Sequence, residues 1–281
     1  MVSPSQRRAV LAWAQQAYQV SERRACRGLV IHRAMIRYRS VKPDDAPVRR
    51  RLQELAKDRP AFGVKRLHTM LRRDGLVINL KKVRRLYLEE QLQLKPRRRR
   101  RRSSTVRLPR IEVAGPTERW AMDFMHDVLA TGQQVRVFTL VDIYSRECVA
   151  LEVATSFSGA DVARMLSDAG ERTGGLPPII QCDNGTEFTS TALDHWAYWN
   201  RVQLDFSRPG KPVDNSVCEA FNGSLRRECL TRHWFASLLE AQTELSTWRA
   251  DYNNLRPHTS LGMHTPAQYR ASGDYQPRSL R

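Results

Sequence analysis

Six consecutive arginines, Arg97 to Arg102, preceded by Lys95-Pro96 and followed by Ser103-Ser104-Thr105, set the first limit on how this chain can fold. Such a run cannot enter a hydrophobic core and repels itself into an extended segment. The 281 residues must therefore fold on either side of it. Charge divides at the same place: residues 1–110 hold 31 Lys and Arg against 8 Asp and Glu, a net +23, whereas residues 111–281 hold 16 against 21, a net −5. A polyanion-binding part and a part with a separate activity are expected, joined by a basic linker over 95–115. The 8 Phe, 8 Tyr and 6 Trp exclude a wholly disordered basic protein. No apolar run approaches the roughly 18 residues of a membrane span and no signal-peptide pattern opens the chain, so a soluble cytoplasmic protein without membrane partners is expected. Cys26, Cys148, Cys182, Cys218 and Cys229 are scattered with no CxxC pair, which reads as reduced intracellular thiols rather than a zinc site.

Before the linker the apolar pattern is helical. Val48, Leu52 and Leu55, then Val64, Leu67 and Leu71, then Leu80, Val83, Leu86 and Leu88 form three groups, broken by Asp58-Arg59-Pro60 and Asp74-Gly75. Three short helices over 45–94 fit either of two readings: a helix-turn-helix-like DNA-binding domain, whose third helix presents Lys81, Lys82, Arg84 and Arg85, or a small bundle with a solvated basic face. Residues 1–44 read as a further basic helical segment with Cys26, Leu29, Val30 and Ile31 as candidate core.

After the linker the period changes. Val135–Asp142 and Glu147–Val153 are β-branched and aromatic, as in adjacent antiparallel strands. Helices over Ser158–Ala169 and Thr189–Asn200 alternate with short strands over Pro177–Cys182 and Val202–Phe206, and a further helix starts near Val213 to Ser216. The order predicts an α/β fold, a mixed sheet flanked by helices, preceded by the small all-α domain.

Three carboxylates hold special places in this layout. Asp123 lies inside the strand-like Trp120-Ala-Met-Asp-Phe124, Asp183 at the carboxyl end of a buried strand, and Glu219 in the late helix. Brought to one sheet edge they would repel unless a divalent cation lay between them, and hard oxygen ligands suit Mg²⁺ or Mn²⁺. Their carboxyl oxygens are expected within reach of one or two common ions. Singly, each has a plainer reading as a turn cap or solvated residue, the account preferred for Asp142. His126, His195, His233, His258 and His264 are read as surface or capping residues, and the tryptophans as core.

Together these segments carry a family resemblance. Trp120 to Phe124, Leu140-Val-Asp-Ile-Tyr-Ser-Arg146, Cys182-Asp-Asn-Gly-Thr-Glu-Phe188, Pro209 to Asn215 and Glu219-Ala-Phe-Asn-Gly223 resemble the catalytic core of retroviral-type integrases, and more narrowly the OrfB transposases of the insertion-sequence-three family. The 35 residues between Asp183 and Glu219 match the D,D(35)E spacing of that superfamily. Tyr252-Asn-Asn-Leu-Arg-Pro-His258 resembles the family's C-terminal signature, and Phe62-Gly-Val-Lys65-Arg66 with Gly75 to Arg85 its helix-turn-helix module.

The resemblance implies a ribonuclease-H-like core over 116–272, C-terminal helices included, with 273–281 as a tail and with Asp123, Asp183 and Glu219 as catalytic metal ligands. It implies a basic residue seven positions after the glutamate, here Arg226, on the same helix face. Lys65, Arg66, the third-helix residues, Arg97, Arg98, Arg99, Arg100, Arg101, Arg102, Lys211 and Arg226 are then the candidate DNA contacts. The implied activity is metal-dependent cleavage and transfer of DNA strands by a bacterial, nucleoid-associated subunit. It would act as a homo-oligomer on double-stranded DNA, with an OrfA or OrfAB partner. The alternatives are a DNA-binding regulator inactive without OrfA and a ribonuclease-H-type nuclease on hybrids.

Overall fold

The computed structural model describes residues 4–38, 44–95, 113–208 and 216–272. Arg97 to Arg102 and Lys211 lie outside the described residues. Two compact units result, Met1–Pro47 and Val48–Arg281.

The first unit contains α1 (Pro4–Tyr18), α2 (Glu22–Gly28) and α3 (Arg33–Arg37). Ser21 caps α2 by accepting the Arg24 N–H, and Leu11, Ala25 and Cys26 make a small core. Of the expected core residues Cys26 is buried, but Val30 is 90% exposed and Leu29 is at the surface. Helix α2 stops at Gly28, and Val30 follows in a left-handed turn (φ 53°) that points its side chain outward.

In the second unit α4 (Ala46–Asp58), α5 (Val64–Arg73) and α6 (Leu80–Glu89) close on Leu52, Leu55, Phe62, Leu67, Leu71, Val83 and Leu86. The turn between α5 and α6 uses Gly75 at φ 84°, where a Cβ would be strained. Asn79 then starts α6 by accepting the Lys81 N–H (2.8 Å). Arg49 of α4 pairs with Glu89 and Glu90 at the far end of α6.

The five strands form one sheet in which the third, second, first, fourth and fifth in chain order are successive neighbours. Strands β1 (Arg119–Val128), β2 (Gln134–Asp142) and β3 (Cys148–Ala154) are antiparallel neighbours, while β4 (Ile179–Cys182) and β5 (Gln203–Phe206) continue parallel to β1. The near-continuous apolar run of β2 is explained by burial of both faces. Val135, Val137 and Val141 meet α9 (Ser216–Glu228) and α10 (Leu238–Asn254) on one side. Phe138 and Leu140 meet α7 (Gly159–Thr173) and α8 (Thr191–Trp199) on the other. Helix α11 (Pro266–Ser272) ends the described chain. The fold is thus the mixed α/β sheet with flanking helices, and all five cysteines are free and buried.

Two expectations need correction. His258 holds the N-cap position of the short turn Thr259–Leu261, but it is 5% exposed and packed beside Arg256 rather than at the surface. Trp120 and Trp248 are core, but Trp13, Trp199 and Trp234 are at least 60% exposed, because they fall on an outer helix face, at a helix end and in a loop. Among the described residues no helix is long and apolar enough to cross a membrane.

Candidate active site

The register of β1 against β4 places the first two carboxylates. Ala121 pairs with Gln181 across the parallel ladder; Asp123 stands two residues further along β1, and Asp183 follows directly on the last residue of β4. Helix α9 packs on β1 and β2 and carries Glu219 in its first turn. Asp123 is half-buried. Its Oδ1 accepts the Phe124 N–H (2.8 Å), and its Oδ2 accepts from Asn222 Nδ2 (2.8 Å), three residues after Glu219 on the same face of α9. Burial pushes the Asp123 carboxyl up to about 6, and the charges of Asp183 and Glu219 push in the same direction. The three acids therefore share one field.

They do not form a ready-made three-carboxylate cage. Among the described residues no three His, Cys, Asp or Glu side chains are gathered closely enough to hold one ion, which corrects the expectation of common reach. Asp183 turns instead to its own loop, where Oδ1 accepts the Gly185 N–H (2.9 Å). The donor set still suits a hard cation: carboxylates, and beside them Asn222 Oδ1, a buried oxygen with no hydrogen-bond partner.

The loop after Asp183 is held by residues that sequence reasoning did not single out. Arg136 occupies a buried-face position of β2, lies over the Phe124 ring (4.2 Å) and pairs with Glu187. The Phe188 ring stacks on Phe124 (5.0 Å, 17°). A charge at an inward position of an apolar strand was the available signal for Arg136, and the i,i+3 spacing from Glu219 the signal for Asn222. Asp142 is the turn cap expected of it: Oδ1 accepts from Ser145 N (2.7 Å) and Oγ (2.8 Å), and Oδ2 from Thr117 N (2.8 Å).

The candidate DNA contacts fall into two groups. Lys65, Lys81, Arg84 and Arg85 are exposed and Lys82 is half-buried, with Arg85 also pairing with Glu89. Arg226 is exposed but donates to the His126 carbonyl of β1 (2.8 Å), so it lies along the same strand as Asp123. Arg66 is turned inward: Nε donates to Pro257 O (3.1 Å), and burial with the Arg256 charge lowers its guanidinium to about 10.

A mixed sheet with acids at one edge, joined to a helix-turn-helix-like module, is the architecture of integrase-core proteins. Models of the integrase core domain match residues 114–212 and 200–266, and a model of an HTH-like domain matches residues 43–100. The chain is 41% identical over 255 residues to the 31.7 kDa protein of insertion element IS407 of Burkholderia multivorans, covering 90% of this chain and 91% of that protein. It is 37% identical to the 39.2 kDa protein of insertion element IS476 of Xanthomonas euvesicatoria, covering 96% and 78%. The simian T-cell lymphotropic virus intasome shares the fold, with a TM-score of 0.52, 16% identity and coverage of 82% and 78%. The chain belongs to the insertion-sequence-three family of transposases.

Proposed function

We propose that this protein is the catalytic subunit of a DNA transposase, cleaving element ends and joining them to target DNA by transesterification. The observation that supports the reading best is that Asp183, just past the end of β4, and Glu219, on α9, both lie near enough to Asp123 for their charges to raise its carboxyl. Asp123, Asp183 and Glu219 would hold a divalent cation, Mg²⁺ or Mn²⁺, which when bound would activate an attacking oxygen and offset charge on the leaving oxygen of a phosphoryl displacement. Asn222 holds the Asp123 carboxylate in orientation through its amide N–H. Water and then a DNA 3′-hydroxyl serve as nucleophiles, so no side chain need form a covalent intermediate. The exposed bases of α6 with Lys65, Arg97 to Arg102, Lys211 and Arg226 contact phosphates on double-stranded DNA. The subunit works as an oligomer on DNA with an OrfA or OrfAB partner.

The test is Glu219→Gln, which keeps the shape and removes the charge. Strand cleavage and joining under Mg²⁺ should fall at least about 100-fold, with duplex affinity within about twofold of wild type. Near-normal strand transfer by Glu219→Gln, with the OrfA-containing active form as control, sinks the assignment.

A further inference from the structure

The carboxyl end of α9 carries a buried ion pair that the proposed chemistry does not use. Glu228, the last residue of α9, receives two hydrogen bonds from Arg256: Nε to Oε2 at 2.7 Å and Nη2 to Oε1 at 2.6 Å. The two side chains are only 8% and 3% exposed. The same guanidinium donates to Ser224 Oγ (3.3 Å), one turn earlier in α9. Two charges so deprived of water persist only when each is well paired, so this contact fixes the end of the helix. Arg256 belongs to the Tyr252–His258 segment, to which the proposed chemistry assigns no role.

The helix-turn-helix-like module reaches the same pair. Arg66 of α5 brings Nη1 to 3.8 Å from Glu228 Oε1 while Nε donates to Pro257 O. Arg59 pairs with Asp251, whose backbone carbonyl accepts the Arg256 N–H (2.9 Å). The guanidinium groups of Arg59, Arg66 and Arg256 surround the buried Phe62 ring at 5.7, 5.4 and 6.0 Å. Module and core therefore meet at the carboxyl end of α9, the helix that carries Glu219 in its first turn. From Glu219 to Glu228 is nine residues, roughly 13 Å along the axis and half a turn around it. Glu228 thus grips the core from the side away from the carboxylates, and a helix of this length moves as one body.

We infer that Glu228 and Arg256 are positioning residues for Glu219, and that Arg66 links them to DNA held by the helix-turn-helix-like module. The inference rests on the catalytic reading of Glu219 given above. Hydrogen–deuterium exchange of the full chain, with and without a mixed-sequence DNA duplex at low ionic strength, tests it. In the wild type, DNA should slow exchange several-fold in α6 and in residues 216–228 together. Arg66→Met keeps the aliphatic stem but not the charge, so α6 should still gain protection while the change in 216–228 disappears; Arg66→Lys should restore part of it. A purely structural clamp predicts a lower melting temperature for Arg66→Met with the DNA-dependent change in α9 intact, and that result overturns the inference. So does a wild type whose α6 is protected by DNA while 216–228 does not respond, an outcome that needs no variant. Failure of the catalytic reading registers separately, as strand transfer by Glu219→Gln with the exchange coupling preserved.

Discussion

His258 shows how strongly a single site can be set by its surroundings. Burial is the main cause, and the charges of Arg256 and Arg66 add to it, holding the imidazole down to about 3. The unfolded chain takes up a proton near pH 6.5, but the folded chain does not until far lower, so stability from this group is present above about 6.5 and is lost as pH falls. By pH 5 the loss is on the order of 2 kcal/mol. Chemical denaturation across pH 5 to 7 should give a shallower acid slope for His258→Gln than for wild type, and equal slopes would show that the imidazole protonates in place. Asp123 acts with the opposite sign. Its folded value is raised to about 6, so the folded state holds the extra proton and stability falls as pH rises through the interval up to 6. Comparing wild type with the His258 variant cancels that contribution.

At the scale of elements, the site depends on how α7 and α8 meet. Gly159 opens α7, and a Cβ there would come 1.7 Å from Ser190 Oγ and 3.2 Å from Glu187 O. Ser190 is the N-cap of α8 and accepts the Leu193 N–H, and its hydroxyl also donates to Glu187 O (2.9 Å). Gly159→Ala should therefore displace the cap and the loop that carries Asp183, at a cost of about 2–4 kcal/mol from overpacking and cap loss. Thermal unfolding measures it, and a melting temperature within a degree or so of wild type would mean that α7 shifts freely. The helices and strands themselves were legible. β-branched and aromatic composition marked β2 and β3, and the helical period marked α4 to α6. Strand order was not, because β1 pairs with β4 across more than 50 residues and no local pattern encodes that choice.

For the whole molecule, charge remains the governing quantity. The net +23 of residues 1–110 includes Arg97 to Arg102, whose phosphate contacts would release counterions on DNA binding. Replacing those six arginines with Ser should weaken duplex binding and reduce the slope of log affinity against log salt by about 0.9 for each phosphate that is no longer neutralised. Titrations at several salt concentrations decide it, and an unchanged slope would assign the run to a solvated linker. Arg66 plays a different part despite its charge. Its partners are Pro257, 191 residues away, and Glu228, so its charge serves the contact between module and core.

The sequence alone determined the split in charge, the types and spans of the main elements, and the three acids as the residues to examine. Those follow from local periodicity and from spacing, which a linear chain carries directly. The partners of each charge were decided only by the tertiary structure. Asn222 against Asp123, Arg136 against Glu187, and Arg256 between Glu228 and the helix-turn-helix-like module all join segments distant in the chain. How near the three carboxylates come to one another was also beyond the sequence. Repulsion between like charges depends on separation in space, and that separation is set by how β1, β4 and α9 pack.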